Sequence, residues 1–146
     1  MQNGRLAGSG YPASRSQVGW LVRTGIKSIL TLTIDPLPAE LTRDFDIVMG
    51  HVPMQDHQPP SIDALARAVE FIEEQLAAGR AVLVHCLAGE GRTGCVVAAY
   101  LVKTEGLSAD EAMAKVRKAK PRFVEGRQES SVREFAAQIL ASRRQQ

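Results

Sequence analysis

The sequence predicts an α/β domain in which a small, mainly parallel central sheet is flanked by helices. Three observations carry this prediction. Ala81–His85, AVLVH, is apolar throughout, the mark of a central strand covered on both faces. Before it, strand-like and helix-like patterns alternate, as parallel strands joined by crossover helices require. Beyond residue 86 no strand pattern recurs, so the rest of the chain is expected to be helical.

The elements follow in order. Arg5–Ser9 reads as a short first strand closed by Gly10-Tyr11-Pro12, and Ala13–Thr24 as a helix stopped by Gly25. Ile26–Thr33, IKSILTLT, is β-branched and alternating, hence a strand. Asp35-Pro-Leu-Pro opens a loop, Asp46–Pro53 is the next strand, and MQDHQPPS, 54–61, is a polar, Pro-rich loop. Ser61 caps a long amphipathic helix whose apolar stripe is Ile62, Leu65, Ala66, Val69, Phe71, Ile72 and Leu76, with Gly79 at its end. A helix starting near Arg92 is apolar all round over Cys95–Val102 and ends at Gly106. Ser108-Ala-Asp-Glu is a capping box for a helix to about Ala119; Pro121 breaks the chain, and Gln128 to about Arg143 is a last amphipathic helix.

The chain has 146 residues, 45% apolar and 23% charged, and these suit one globular domain, 1–146, that closes a single core. A net charge of +2 gives no polyanion-binding character, so no nucleic-acid partner is expected. The late basic run (Lys115, Arg117, Lys118, Lys120, Arg122, Arg127) reads as a solvated helix face in preference to a phosphate-collecting rim. Two cysteines, Cys86 and Cys95, make no disulfide framework, and no window approaches a membrane span. A cytoplasmic monomer with no membrane association is the expectation.

The chemistry is concentrated in HCLAGEGRTG, 85–94. Gly89 to Gly94 spells G-x-G-x-x-G, but a dinucleotide fold needs a second strand with an acidic residue about 20 positions on, and a helix stands there instead. A P-loop is excluded because Arg-Thr replaces Gly-Lys-Ser/Thr. The other reading is a cysteine nucleophile acting on phosphate. Five residues between Cys86 and Arg92 can curl around a phosphate with their amides turned inward, and Gly89 and Gly91 permit the close approach. Leu87, Ala88, Gly89, Glu90, Gly91 and Arg92 are therefore the candidate substrate-binding residues. The following helix adds its positive N-terminal end, a setting that draws cysteine pKa values down to ~3.5–7.5. Arg92 can clamp two phosphate oxygens, Thr93 can donate to the sulfur when it leaves, and His85 orients the loop.

These residues resemble the phosphate loop of the cysteine-dependent protein tyrosine phosphatase superfamily. NGRLAGSGYP, GIKSILTLT, VPMQDHQPPS and AYLVKTEGLSADEAMAKVRKAKP extend the resemblance to small, single-domain atypical dual-specificity phosphatases over nearly the whole chain. The resemblance implies a protein tyrosine phosphatase-like fold and a cysteinyl-phosphate intermediate on phosphotyrosine, with phosphoserine and phosphothreonine as further phosphoprotein substrates. It implies no cofactor and places the general acid at Asp56, in the loop after a strand ending Val-Pro. Asp35, Asp44 and Asp46 are poorer candidates for that role. The chain departs from the pattern at 121–129, PRFVEGRQE, where relatives carry a Pro-Gly-containing loop one residue longer; without the N-terminal extension that deepens the pocket of phosphotyrosine-only enzymes, a shallow cleft open to several phosphoresidues is expected.

The remaining residues have plainer readings. His51 and His57 are expected to be structural or solvated, with a tuning of Asp56 by His57 the less favoured role. Cys95 is expected to be a small apolar packer in preference to a redox partner of Cys86. No Cys/His spacing for a metal remains. Glu90 would repel a second phosphate at the loop's mouth, which places phosphoinositide and RNA 5′-phosphate substrates behind phosphoproteins. A non-catalytic phosphate-binding module and a rhodanese-type sulfurtransferase stand further back.

Overall fold

The computed structural model describes residues 5–145. Four parallel strands form one sheet in the order β1-β4-β2-β3, with β1 Leu6–Ser9, β2 Ile26–Thr31, β3 Val48–His51 and β4 Ala81–His85. The parallel arrangement and the purely helical second half agree with the sequence reading.

The sheet has two unequal covers. On one face α1 (Arg15–Arg23) and the short α2 (Ala39–Thr42) close a small cluster of Ile26, Ile29, Leu37 and Leu83. On the other, α3 (Ile62–Ala77), α4 (Gly91–Glu105), α5 (Ala109–Ala119) and α6 (Glu129–Arg144) close the main core over Leu6, Leu30, Val82 and Val84. Helix α4 is its axis: Arg92 through Val102 is buried without a break, and Gly106 ends the helix at φ 69°. Ser61 caps α3, and Ser108 with Glu111 makes the expected capping box on α5.

Several expectations need correction. Strand β2 lies between β4 and β3 under helices on both faces, and only Lys27 is exposed. It ends at Thr31, two residues early, and β3 is a half-exposed edge strand shorter than Asp46–Pro53. Pairing nevertheless continues irregularly past both: Val52 N–H donates to Thr31 O at 3.0 Å and Met54 N–H to Leu32 O at 2.9 Å. These bonds carry the chain as far as Met54 in fixed geometry. Helix α2 was not expected after Pro36 and Pro38. Ala66 faces solvent and Ala68 takes its place in the stripe. A 3-10 turn, Gly126–Gln128, leads into α6, and Val124 before it holds φ +63°, an uncommon value for a β-branched residue. Among the described residues no helix is long and apolar enough to cross a membrane.

Candidate active site

The C-terminal ends of the strands gather the predicted residues. Cys86 follows β4 directly and is 2% exposed. Its sulfur accepts a hydrogen bond from Thr93 Oγ1 at 3.1 Å across the loop. Behind it, His85 Nδ1 lies 3.0 Å from Cys86 O and Nε2 lies 2.8 Å from Thr31 Oγ1. A carbonyl only accepts, so Nδ1 carries the proton and Nε2 receives the threonine hydroxyl. Burial lowers the His85 pKa and keeps the ring neutral, and Tyr11 packs edge-on against it, 5.5 Å between centroids. His85 thus links the end of β2 to the first residue of the loop.

The curl of 86–92 depends on close contacts at two glycines. Gly89 sits at φ +76°, and a Cβ there would lie 2.5 Å from Gly10 N and Ser9 C, so the loop packs backbone to backbone on the end of β1. Tyr11 N–H donates to Leu87 O at 2.9 Å in the same seam. A Cβ at Gly91 would meet Gln128 Oε1 at 2.6 Å and Glu125 Oε2 at 3.0 Å. Leu87 and Ala88 are exposed, Glu90 is half-buried at the N-cap of α4, and Gly91 opens the helix.

Arg92 is 4% exposed. Its Nη1 donates to Met54 O at 3.1 Å, its Nη2 lies 3.4 Å from Asp56 Oδ1, and its Nε has no partner among the described residues. A buried guanidinium with an unused donor is costly unless an anion shares the site. Arg92 and Thr93 both lie in the first turn of α4, so the guanidinium, the positive helix end and the hydroxyl that holds Cys86 come from one short segment. Asp56 faces Arg92, half exposed, with Oδ1 accepting the His57 backbone N–H at 3.0 Å. Asp44 is engaged by Arg15 on the α1 side. The donor set suits a tetrahedral oxyanion. No group of three or more His, Cys, Asp or Glu that could hold a metal occurs among the described residues.

Four side chains around the loop escaped the sequence reading. Lys120 Nζ donates to Gly89 O at 3.2 Å and lies 3.4 Å from Ala88 O, bracing the loop from outside. Gln128, fully buried, accepts from Glu125 N at 3.0 Å and donates to Gln58 O at 3.2 Å, so it ties 121–128 to the acid loop. Glu125 reaches His57, with Nδ1 at 2.9 Å from Oε1. Arg117 holds Phe123 O, Val124 O and Glu129. Of the basic run, Lys115, Lys118, Arg122 and Arg127 are exposed, as a solvated face should be, whereas Arg117 and Lys120 are structural ties. Only their position just before the Pro121 break pointed to such a duty. His51 donates from Nε2 to Thr33 O, as a structural residue should. Cys95 packs in the core, its thiol pushed up to about 12 by burial. Beside the loop lies an apolar cleft of about 400 Å³, lined by Gly10, Tyr11, Pro12, Trp20 and Leu21 among others.

The dual-specificity phosphatase catalytic domain family matches residues 13–138. The dual specificity protein phosphatase Mpk3 of Drosophila melanogaster is 41% identical over 102 residues, covering 69% of this chain and 25% of that protein. Phosphatidylglycerophosphate phosphatase PTPMT1 of Arabidopsis thaliana is 32% identical over 114 residues, 75% of this chain and 34% of that one. The chain thus spans a quarter to a third of these relatives' length. Among solved structures, Tk-PTP in the active form superposes with a TM-score of 0.84 at 31% identity, over 92% of each chain.

Proposed function

The chain belongs to the dual-specificity phosphatase family, and from that premise we propose that it hydrolyses phosphate monoesters through a cysteinyl-phosphate. One observation carries the reading: the Cys86 sulfur receives the Thr93 hydroxyl at 3.1 Å, and the adjoining, buried Arg92 holds Asp56 at 3.4 Å. Cys86 Sγ attacks phosphorus and the ester P–O bond breaks. Asp56 gives its proton to the departing oxygen. Arg92 and the 87–91 loop bear the charge on the three remaining oxygens. Water then attacks the cysteinyl-phosphate, Asp56 takes its proton, and the sulfur leaves as a thiolate that the Thr93 hydroxyl stabilises.

Phosphoproteins are the substrate class we favour. The Glu90 carboxylate at the loop discourages a second phosphate, and Mpk3 is named as a protein phosphatase. A lipid monoester is the second reading, favoured by the apolar cleft beside Leu87 and by the Arabidopsis relative's name. Turnover of p-nitrophenyl phosphate, with acid-quench trapping of phosphate on Cys86, tests the chemistry. Loss of Cys86 to serine should abolish both, by roughly 10⁵-fold or more, the scale on which nucleophile removal acts. Trapped phosphate on another residue would end the proposal. Phosphotyrosine peptides against phosphatidylglycerophosphate vesicles separate the two substrate classes.

A further inference from the structure

His57 follows the candidate acid and stands at φ +63°, a left-handed conformation that His tolerates better than most residues. The turn brings its ring between two carboxylates on different parts of the chain. Nδ1 lies 2.9 and 3.2 Å from the two oxygens of Glu125, in the segment before the 3-10 turn. Nε2 lies 3.3 Å from Asp56 Oδ2, while the backbone N–H of the same residue holds Asp56 Oδ1. Glu125 is itself fixed: its backbone N–H bonds to buried Gln128, and its carboxylate lies against Gly91 at the mouth of the phosphate loop. Asp56 is thus connected through one imidazole to the wall of the phosphate site.

We propose that His57 is a positioning residue which, with Glu125 as its anchor, latches the Asp56 loop over the phosphate loop. The inference rests on the reading of Asp56 as the general acid. Carboxylates only accept, so Glu125 fixes a proton on Nδ1. A single further proton between Nε2 and Asp56 Oδ2 completes the latch, whichever atom carries it; its loss leaves a lone pair facing a carboxylate and opens the contact. The charged groups around the ring are Asp56, Glu125, Arg92 and Arg127, the last sharing with His57, Glu125 and Gly126 the lining of a cleft of about 430 Å³. The Glu125 hydrogen bond and the Asp56 charge together raise the His57 pKa above 6.5, outweighing Arg92, in keeping with a ring that holds its second proton. Displacing a catalytic group by about 1 Å can cost up to ~10²-fold in rate, so a modest latch has a large effect.

The test is a mutant cycle on two esters. Phenyl phosphate has a poor leaving group that needs the acid; p-nitrophenyl phosphate has a good one that scarcely does. His57→Ala and Glu125→Gln should each lower kcat on phenyl phosphate by roughly 10- to 100-fold. KM should stay within about twofold, and the loss on p-nitrophenyl phosphate should be much smaller, as expected when only an acid is displaced. His57→Asn keeps an N–H in the Nδ1 place and suits the left-handed backbone, so it should recover part of the loss. Added to Asp56→Asn, His57→Ala should cost nothing more, since it acts through that residue. NMR titration of the His57 ring should give a midpoint above 6.5 that falls in Glu125→Gln. Parent-like kcat in His57→Ala, or a loss that multiplies with that of Asp56→Asn, overturns the latch while leaving the acid assignment standing. Parent-like kcat on phenyl phosphate in Asp56→Asn overturns the acid assignment itself.

Discussion

Cys86 sits 2% exposed at the end of a buried strand, whereas Asp56, facing Arg92, is half exposed on a Pro-rich loop. The phosphate loop is held by backbone: Gly89 against Ser9–Gly10, Tyr11 N–H on Leu87 O, and α4 emerging from it into the core. The acid loop is held mainly by side chains, namely Arg92 on Met54 O, Gln128 on Gln58 O and His57 between Asp56 and Glu125. Backbone packing fixes a cradle whose shape must not change during the reaction. Side-chain bonds suit a group that must approach a leaving oxygen and then a water.

Substitutions on each side should therefore fail differently. Loss of the nucleophile apart, the largest effect belongs to the acid loop. Asp56→Asn keeps size and polarity but gives up no proton, so kcat on phenyl phosphate should fall ~10²–10⁴-fold, the worth of general acid catalysis. The loss should shrink sharply on p-nitrophenyl phosphate, with binding preserved. Equal losses on both esters would erase the distinction between the loops and pass the acid role to another carboxylate.

Gly89→Ala probes the cradle instead. The new methyl would collide with the end of β1 at a backbone angle unsuited to alanine, costing about 1–3 kcal/mol of stability. A thermal melt should show Tm lower by roughly 2–12 °C. Whatever activity remains should be reduced to the same extent on both esters. A variant that melts like the parent, or spares p-nitrophenyl phosphate, would show that the loop is not held as described.

The smallest effect is one of sign. A histidine adjoins Cys86 at the end of β4 and another adjoins Asp56, and the two shifts are opposite. His57, raised above 6.5, adds stability that is fully present below 6.5 and disappears as pH climbs through its folded value. His85, lowered by burial, contributes fully above 6.5, and that contribution is lost as pH falls toward its folded value, because the unfolded chain takes a proton the buried ring refuses. The Tm difference between the parent and His57→Ala should thus be widest below pH 6.5 and close at alkaline pH. A gap that widened with pH would contradict the ion-pair origin of the shift.

The same division explains what the sequence made legible. The strand AVLVH, the glycines, Arg92 and Thr93 are read from local pattern because the phosphate loop is contiguous in the chain. Four parallel strands and the purely helical second half also follow from periodicity and caps. The ties are different: Lys120, Glu125 and Gln128 reach the site from a segment with no periodicity, through contacts between residues far apart in sequence. His57 looked like solvated loop because nothing local shows its φ or its partner. IKSILTLT alternates in composition, yet its burial follows from its place between β4 and β3, which is a property of topology.

The seam between Gly89 and the end of β1 has a further consequence, for the order in which the molecule is assembled. Strand β1 pairs only with β4, Leu6 meeting Val82, so it must wait for most of the chain before it docks. The braces at Lys120 and Gln128 arrive from the opposite direction, well past the loop they support. The cradle around Cys86 is therefore closed by segments on either side of it in the sequence, 9–11 and 120–128, and a nascent chain holding HCLAGEGRTG alone has the letters of the site without its shape. By mass action, an oxyanion that binds only the finished cradle stabilises the entire fold by RT ln(1 + [L]/Kd), about 2.7 kcal/mol at a hundredfold excess over Kd. Phosphate affinity then serves as a gauge of complete folding.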